Sequence, residues 1–160
     1  MILVSQINKS QLEQLLKLFG LNVHWVNIDK AITGSFWGDP EAGLVGNQIY
    51  LRDDTPLQSA LHEASHYVCM DNTRRAVLHT NSGGDYDEEN AVCYLQILLA
   101  AKLENSSKEK MMKDMDTWGY SFRLGSAKKW FTEDADDAKY WLINNQIITE
   151  SEEIRWQVRQ

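Results

Sequence analysis

Two histidines and a glutamate stand within just over one helical turn of each other in the segment His62-Glu63-Ala64-Ser65-His66. Residues four apart on an α-helix lie on one face, so the imidazoles of His62 and His66 can reach one ion at about 2.1 Å. Glu63 is displaced from His62 by about 100° around the helix, which lets its carboxylate contact a water on the ion. In metal-assisted hydrolysis the ion lowers the pKa of that water and the glutamate takes its proton. The segment therefore predicts a divalent metal held by both histidines, with Glu63 as general base.

A third protein ligand is expected, because two histidines alone hold a metal weakly. The candidates downstream are Asp85, Asp87, Glu88, Glu89 and His79. Glu88 shares a face with the apolar stripe of the following predicted helix, whereas Glu89 shares a face with Val92, Cys93 and Gln96. A ligand must point inward between the two helices, which favours Glu88 and leaves Glu89 as the alternative. A purely structural role is also open to Glu88, as the third residue of a capping box begun by Asp85.

Periodicity and turn residues predict the elements that carry these groups. Helices are expected over 10–19, 56–70, from 85–87 to 102, and near 108–117 and 132–144; strands are expected over 21–26 and 43–51. Thr55 is expected to cap the second helix, with Gln58 completing a capping box, and Gly46 to form a bulge. Trp118, Trp130 and Trp141 are expected to close the core. A small sheet followed by helices predicts one α+β domain over residues 1–160.

Composition excludes several classes of function. The net charge is -7 and the pI is near 5.0, which argues against nucleic-acid binding, since that needs clustered lysine and arginine. No apolar run approaches transmembrane length, and residues 1–6 lack the basic start of a secretion signal. Cys69 and Cys93 do not make a disulfide framework; Cys69 is expected to be a small buried hydrophobe, although it could approach the metal or Cys93. We therefore expect a cytoplasmic protein without a membrane partner.

The motif residues also carry a family resemblance. The runs Leu61–Tyr67 and Asp87–Ala91, followed by Leu98-Leu99, resemble the small zinc metallopeptidases of the ImmA/IrrE type, a branch of the gluzincins. The resemblance implies a zincin-like fold, zinc as cofactor, Glu88 as third ligand and Glu63 as general base. It also implies that residues 44–51 form the strand along which an extended peptide substrate pairs by main-chain hydrogen bonds.

A second resemblance competes with the first. The run Ser59–His66, with Arg74-Arg75 further on, looks like the metal helix of the elongation factor P hydroxylases, which implies Fe²⁺ and oxidation of a protein side chain. Two histidines and a carboxylate suit either metal. A third hypothesis is a non-enzymatic, metal-stabilised interaction domain.

The group that would polarise a substrate carbonyl is left open by the sequence. The candidates are Tyr67, Tyr86, Tyr94, Tyr120, Arg123 and His79.

Overall fold

The computed structural model describes residues 1–160 and is α+β, with seven α-helices and a three-stranded mixed sheet. The elements in chain order are α1 (Lys9–Lys17), β1 (Asn22–Val26), β2 (Gly43–Val45), β3 (Gln48–Arg52), α2 (Leu57–Cys69), α3 (Asn72–Ala76), α4 (Tyr86–Ala100), α5 (Lys108–Trp118), α6 (Ala127–Glu133) and α7 (Asp136–Asn144). The α+β prediction is confirmed. None of the helices is both long and apolar enough to cross a membrane.

The strand predicted over 43–51 is two strands joined by a hairpin turn. β2 pairs antiparallel with β3, Val45 opposite Gln48, so that only Gly46 and Asn47 lie between them. Gly46 has φ 57°, the left-handed conformation that a two-residue hairpin turn requires. The predicted bulge at Gly46 was therefore wrong. β1 lies on the other side of β3 and runs parallel to it, which makes β3 the central strand.

The outer edge of β2 is already occupied by two other segments of the chain. The amide of Leu44 donates to the carbonyl of Gly34 (3.3 Å), and the carbonyl of Leu44 accepts from Thr80 (2.8 Å). The amide of Gly46 donates to Leu78 (2.9 Å). An added peptide strand would find no free main-chain groups there, and β3 is covered on both sides. The prediction that residues 44–51 offer an edge to a substrate was therefore wrong.

Two buried helices, α2 and α4, pack against each other in the core. Every residue of α2 except His62 is buried, and in α4 burial is continuous from Ala91 to Ala100. The predicted capping box of α2 does not form. The hydroxyl oxygen of Thr55 instead accepts from the amide of Arg52 (2.9 Å), and Pro56 occupies the N-cap. The side chain of Gln58 accepts from the hydroxyl of Tyr120 (2.7 Å).

The C-terminal third packs on α4 as a group of short helices. The helix predicted near 108–117 is α5, whereas the one predicted over 132–144 is divided at Asp134-Ala135 into α6 and α7. Trp130 lies in the core at 4% exposure. Trp118 and Trp141 are half-buried, and Trp118 borders the site described next. Gly119, with φ 110°, ends α5 and turns the chain toward that site.

Candidate metal centre

The side chains of His62, His66 and Glu89 converge between α2 and α4. The two Nε2 atoms lie 3.1 Å apart. Glu89 Oε1 lies 3.1 Å from His62 Nε2, and Glu89 Oε2 lies 3.1 Å from His66 Nε2. One ligand atom from each residue falls within 4.8 Å of the others. The helical spacing of the histidines thus places both imidazoles on the face of α2 that meets the first turn of α4.

A buried glutamine orients His62. His62 Nδ1 lies 2.9 Å from Gln96 Oε1, while Gln96 Nε2 donates to the main-chain carbonyl of Gln58 (3.0 Å). That second bond sets the amide so that its oxygen faces the imidazole, and an amide oxygen only accepts hydrogen bonds. The proton of neutral His62 therefore sits on Nδ1, and the lone pair of Nε2 faces His66 and Glu89. This is the arrangement found around histidines that bind metals.

The three donors fit a divalent ion by type and by spacing. Two imidazole nitrogens and one carboxylate are ligands of both Zn²⁺ and Fe²⁺. Donors about 2.1 Å from a tetrahedral ion lie roughly 3.4 Å from each other, close to the 3.1 Å separations here. His62, His66 and Glu89 are thus the residues that would hold the metal.

Glu88, the favoured third ligand, does not join the histidines. Its carboxylate contacts Arg74 Nη1 (2.9 Å) and Arg159 Nη1 (3.1 Å), and the residue is 3% exposed. The preference for Glu88 is corrected to Glu89. The apolar residues of α4 do not identify the face that packs on α2, because the helix is buried on all sides beyond its first turn. The face toward His62 is the one that carries Glu89 and Gln96 together.

Glu63 lies beside the cluster without belonging to it. It is 6% exposed, and no lysine or arginine forms an ion pair with its carboxylate; the titratable groups that act on it are the two histidines and two glutamates. Burial raises the pKa of Glu63, and the imidazoles of His62 and His66 oppose the rise. Burial would also raise the pKa of Glu89, but hydrogen bonds and charge from both imidazoles outweigh it and hold that pKa well below its usual range.

Two cavities meet at the cluster. His62, Glu63, Glu89 and Trp37 line both of them. The aromatic cavity, about 280 Å³, is bordered by the aromatic residues Trp37, Tyr86, Trp118, Tyr120 and Phe122. The polar cavity, about 240 Å³, is bordered on its far side by residues 80–83. The cluster therefore stands at the middle of a groove, with aromatic rings along one end and residues 80–83 at the other.

Among the candidate carbonyl-polarising groups, only Tyr86 and Tyr120 reach this groove. Tyr120 stands edge-on to His62 with ring centroids 5.3 Å apart, and its hydroxyl donates to Gln58 Oε1 (2.7 Å). Burial raises the pKa of Tyr120. Arg123 is ion-paired to Asp134, Tyr94 bonds Glu152 and His79 bonds Thr80. Tyr67 is absent from both cavity walls.

Both cysteines are free and buried. Cys93 borders the aromatic cavity one helical turn beyond Glu89, whereas Cys69 belongs to neither the cluster nor the cavities. Burial raises the pKa of both thiols. The expectation of a buried, hydrophobe-like Cys69 is confirmed.

No role at the metal site was predicted for Gln96, Trp37, Trp118 or Phe122. A signal for Gln96 was present, since it lies seven residues after Glu89 on the same helical face. No local pattern connects residues 118–122 with the histidines.

Comparisons of the chain with protein-family models, with curated proteins and with solved structures found no match.

Proposed function

We propose that this protein is a zinc-dependent hydrolase of peptide bonds, built on a zincin-like arrangement of α2 and α4. The observation that carries the proposal is the convergence of His62, His66 and Glu89 at the middle of a groove, with Glu63 on the same walls. We place it in the cytoplasm, in keeping with its two free thiols.

Each residue has a distinct part in the proposed reaction. The imidazoles of His62 and His66 and the Glu89 carboxylate would hold the zinc, which would supply Lewis-acid polarisation and lower the pKa of water. Glu63 takes the proton of the attacking water on its carboxylate and returns it to the leaving amine. Glu63 suits this part because no arginine or lysine holds it as a permanent ion pair.

The substrate is proposed to lie across the cluster, from the aromatic cavity to the polar cavity. The edge of β2 is occupied by residues 34 and 78–80, so the walls of the groove, and not a sheet edge, must hold the peptide. Both cavities share Trp37 and Glu63, which puts the general base beside the middle of a bound chain.

The test is metal analysis of the purified protein followed by cleavage assays on a broad peptide library. We expect about one zinc per chain in the wild type and in Glu63→Gln, with cleavage lost only in the variant. His24→Ala removes an exposed histidine outside the site and serves as the matched control. Zinc-loaded wild-type protein that cleaves no library member would contradict the proposal.

A second candidate function, an iron-dependent oxygenase of a protein side chain, is favoured by one observation. With the edge of β2 covered, the groove can accept a single protruding side chain more readily than a paired strand. Two histidines and one carboxylate also suit Fe²⁺. Anaerobic purification distinguishes the two: recovered iron with oxygen consumption supports the oxygenase, and tightly bound zinc without iron supports the hydrolase.

A further inference from the structure

The aromatic cavity has a continuous wall of rings beside the cluster. Trp37 packs edge-on against Trp118 (centroids 5.4 Å apart), Trp118 against Tyr120 (5.3 Å), and Phe122 lies nearly parallel to Tyr120 (6.1 Å). The wall reaches the cluster through Tyr120, whose ring meets His62. One continuous apolar surface therefore runs from solvent to the ligand residues.

Several polar groups beside that wall are bonded within the protein. Glu41 accepts from the indole nitrogen of Trp118 (2.9 Å), and Glu89 is held by the two histidines. The hydroxyl of Tyr120 is bonded to Gln58. The wall itself therefore presents ring faces and edges to a ligand, while Glu63 and the unpaired Nε2 of Gln58 are polar groups of the cavity with which a ligand can still pair.

Trp37 stands at the mouth of the cavity with 61% of its surface exposed. Covering a water-exposed indole with another apolar group lowers the free energy of the complex. The cavity volume, about 280 Å³, is just below the range of about 300–1,000 Å³ for drug-sized ligands. It suits one large side chain rather than a helix or a folded domain.

We propose that the aromatic cavity is a subsite for a large apolar side chain, aromatic or branched, of a peptide whose main chain crosses the ligand cluster. This inference rests on the proposed function, because it needs a metal to anchor the neighbouring main chain. Trp118 and Phe122 are the specificity-determining residues. Burying such a side chain improves binding by about ten- to hundredfold.

Amino-acid hydroxamates test the subsite without requiring turnover, because the hydroxamate group chelates the metal and the side chain samples the cavity. The zinc-loaded full chain is titrated with glycine, leucine, phenylalanine and lysine hydroxamates by calorimetry. The leucine and phenylalanine compounds should bind about ten- to hundredfold more tightly than the glycine compound. Trp118→Ala and Phe122→Ala should remove that preference and leave the affinity for glycine hydroxamate unchanged. Tyr140→Ala, which removes an exposed aromatic ring outside both cavities, should keep it.

The outcomes separate this inference from the proposed function. If no hydroxamate binds to zinc-loaded protein, the proposed metal centre fails. If all four bind equally, the centre stands and the subsite is overturned. Tightest binding of the lysine compound would also overturn it, by showing that Glu41 selects a cation. Circular dichroism checks folding, and Trp118→Leu replaces the alanine variant if that variant unfolds.

Discussion

Gln96 on α4 accepts a hydrogen bond from the Nδ1 of His62 on α2, at 2.9 Å, in a part of the core where Gln96 is fully buried. The same amide donates to the main chain of Gln58 and is therefore locked in one orientation. The contact joins the two helices of the proposed metal centre. It also fixes which nitrogen of His62 faces the cluster.

Replacement of Gln96 should weaken zinc binding. We expect Gln96→Leu to lose about 10–100-fold in zinc affinity, because His62 loses the acceptor that sets its orientation. Gln96→Glu keeps an acceptor at that position and should recover much of the affinity. Competition with a chromophoric chelator measures both variants. Equal affinity in Gln96→Leu and wild type would show that the contact does not position the ligand.

Glu88 and Glu89 form a matched pair of adjacent carboxylates with different roles. Glu89→Gln should abolish stoichiometric zinc binding. Glu88→Gln should keep the zinc and lower the free energy of unfolding by about 1–3 kcal/mol, because Arg74 and Arg159 lose a buried partner while retaining partial contact with solvent. Elemental analysis and urea unfolding of the apoproteins separate the two effects. Zinc loss in Glu88→Gln with zinc retained in Glu89→Gln would reverse the assignment.

Zinc should stabilise the folded protein through the cluster alone. Free zinc at 100 times its dissociation constant adds about 2.7 kcal/mol to the free energy of unfolding, and chelation removes it. The wild type and His24→Ala should show this gain in thermal unfolding, whereas Glu89→Gln should show none. A gain of equal size in Glu89→Gln would mean that zinc binds elsewhere.

The ion pair between Arg52 and Asp54 should make stability depend on pH. The hydrogen bond from Arg52 lowers the pKa of Asp54 below its ordinary 3.8. A lowered carboxyl pKa stabilises the fold above about pH 4, and the contribution disappears as the pH falls through the folded-state value. Arg52 also contacts the carbonyl of Lys30 and the carboxylate of Asp39, which flank the loop that carries Trp37.

Asp54→Asn should therefore cost less than about 1 kcal/mol at pH 7, since Asp54 is partly exposed. Urea unfolding at pH 7 and pH 2.5 measures the difference from wild type, which should shrink at the lower pH, because more of the wild-type carboxyl group is protonated there. A difference of the same size at both pH values would show that the charge of Asp54 is not its source.

Local sequence was sufficient for the common face of His62 and His66, for the bounds of β1 and α4, and for the cap of α4. The spacing of His62 and His66 predicted two imidazoles on one face, because helical geometry alone sets that direction. β1 and α4 were predicted within two residues of their observed bounds. Asp85 caps α4 as its side-chain type and position indicated, by accepting from the amide of Glu88 (2.9 Å).

What the sequence by itself determined is therefore the helix that carries His62, Glu63 and His66, the common face of its two histidines and the α+β class, all of which follow from short-range periodicity. Tertiary structure decided which carboxylate lies beside His62 and His66. The rotation of α4 against α2 selects it, and packing sets that rotation because α4 is buried on nearly every side. It also decided that residues 34 and 78–80 cover β2 and that residues 118–122 form the aromatic wall. These contacts join segments far apart in the chain. They are stabilised by burial and by main-chain hydrogen bonds between those segments, which local sequence patterns do not predict.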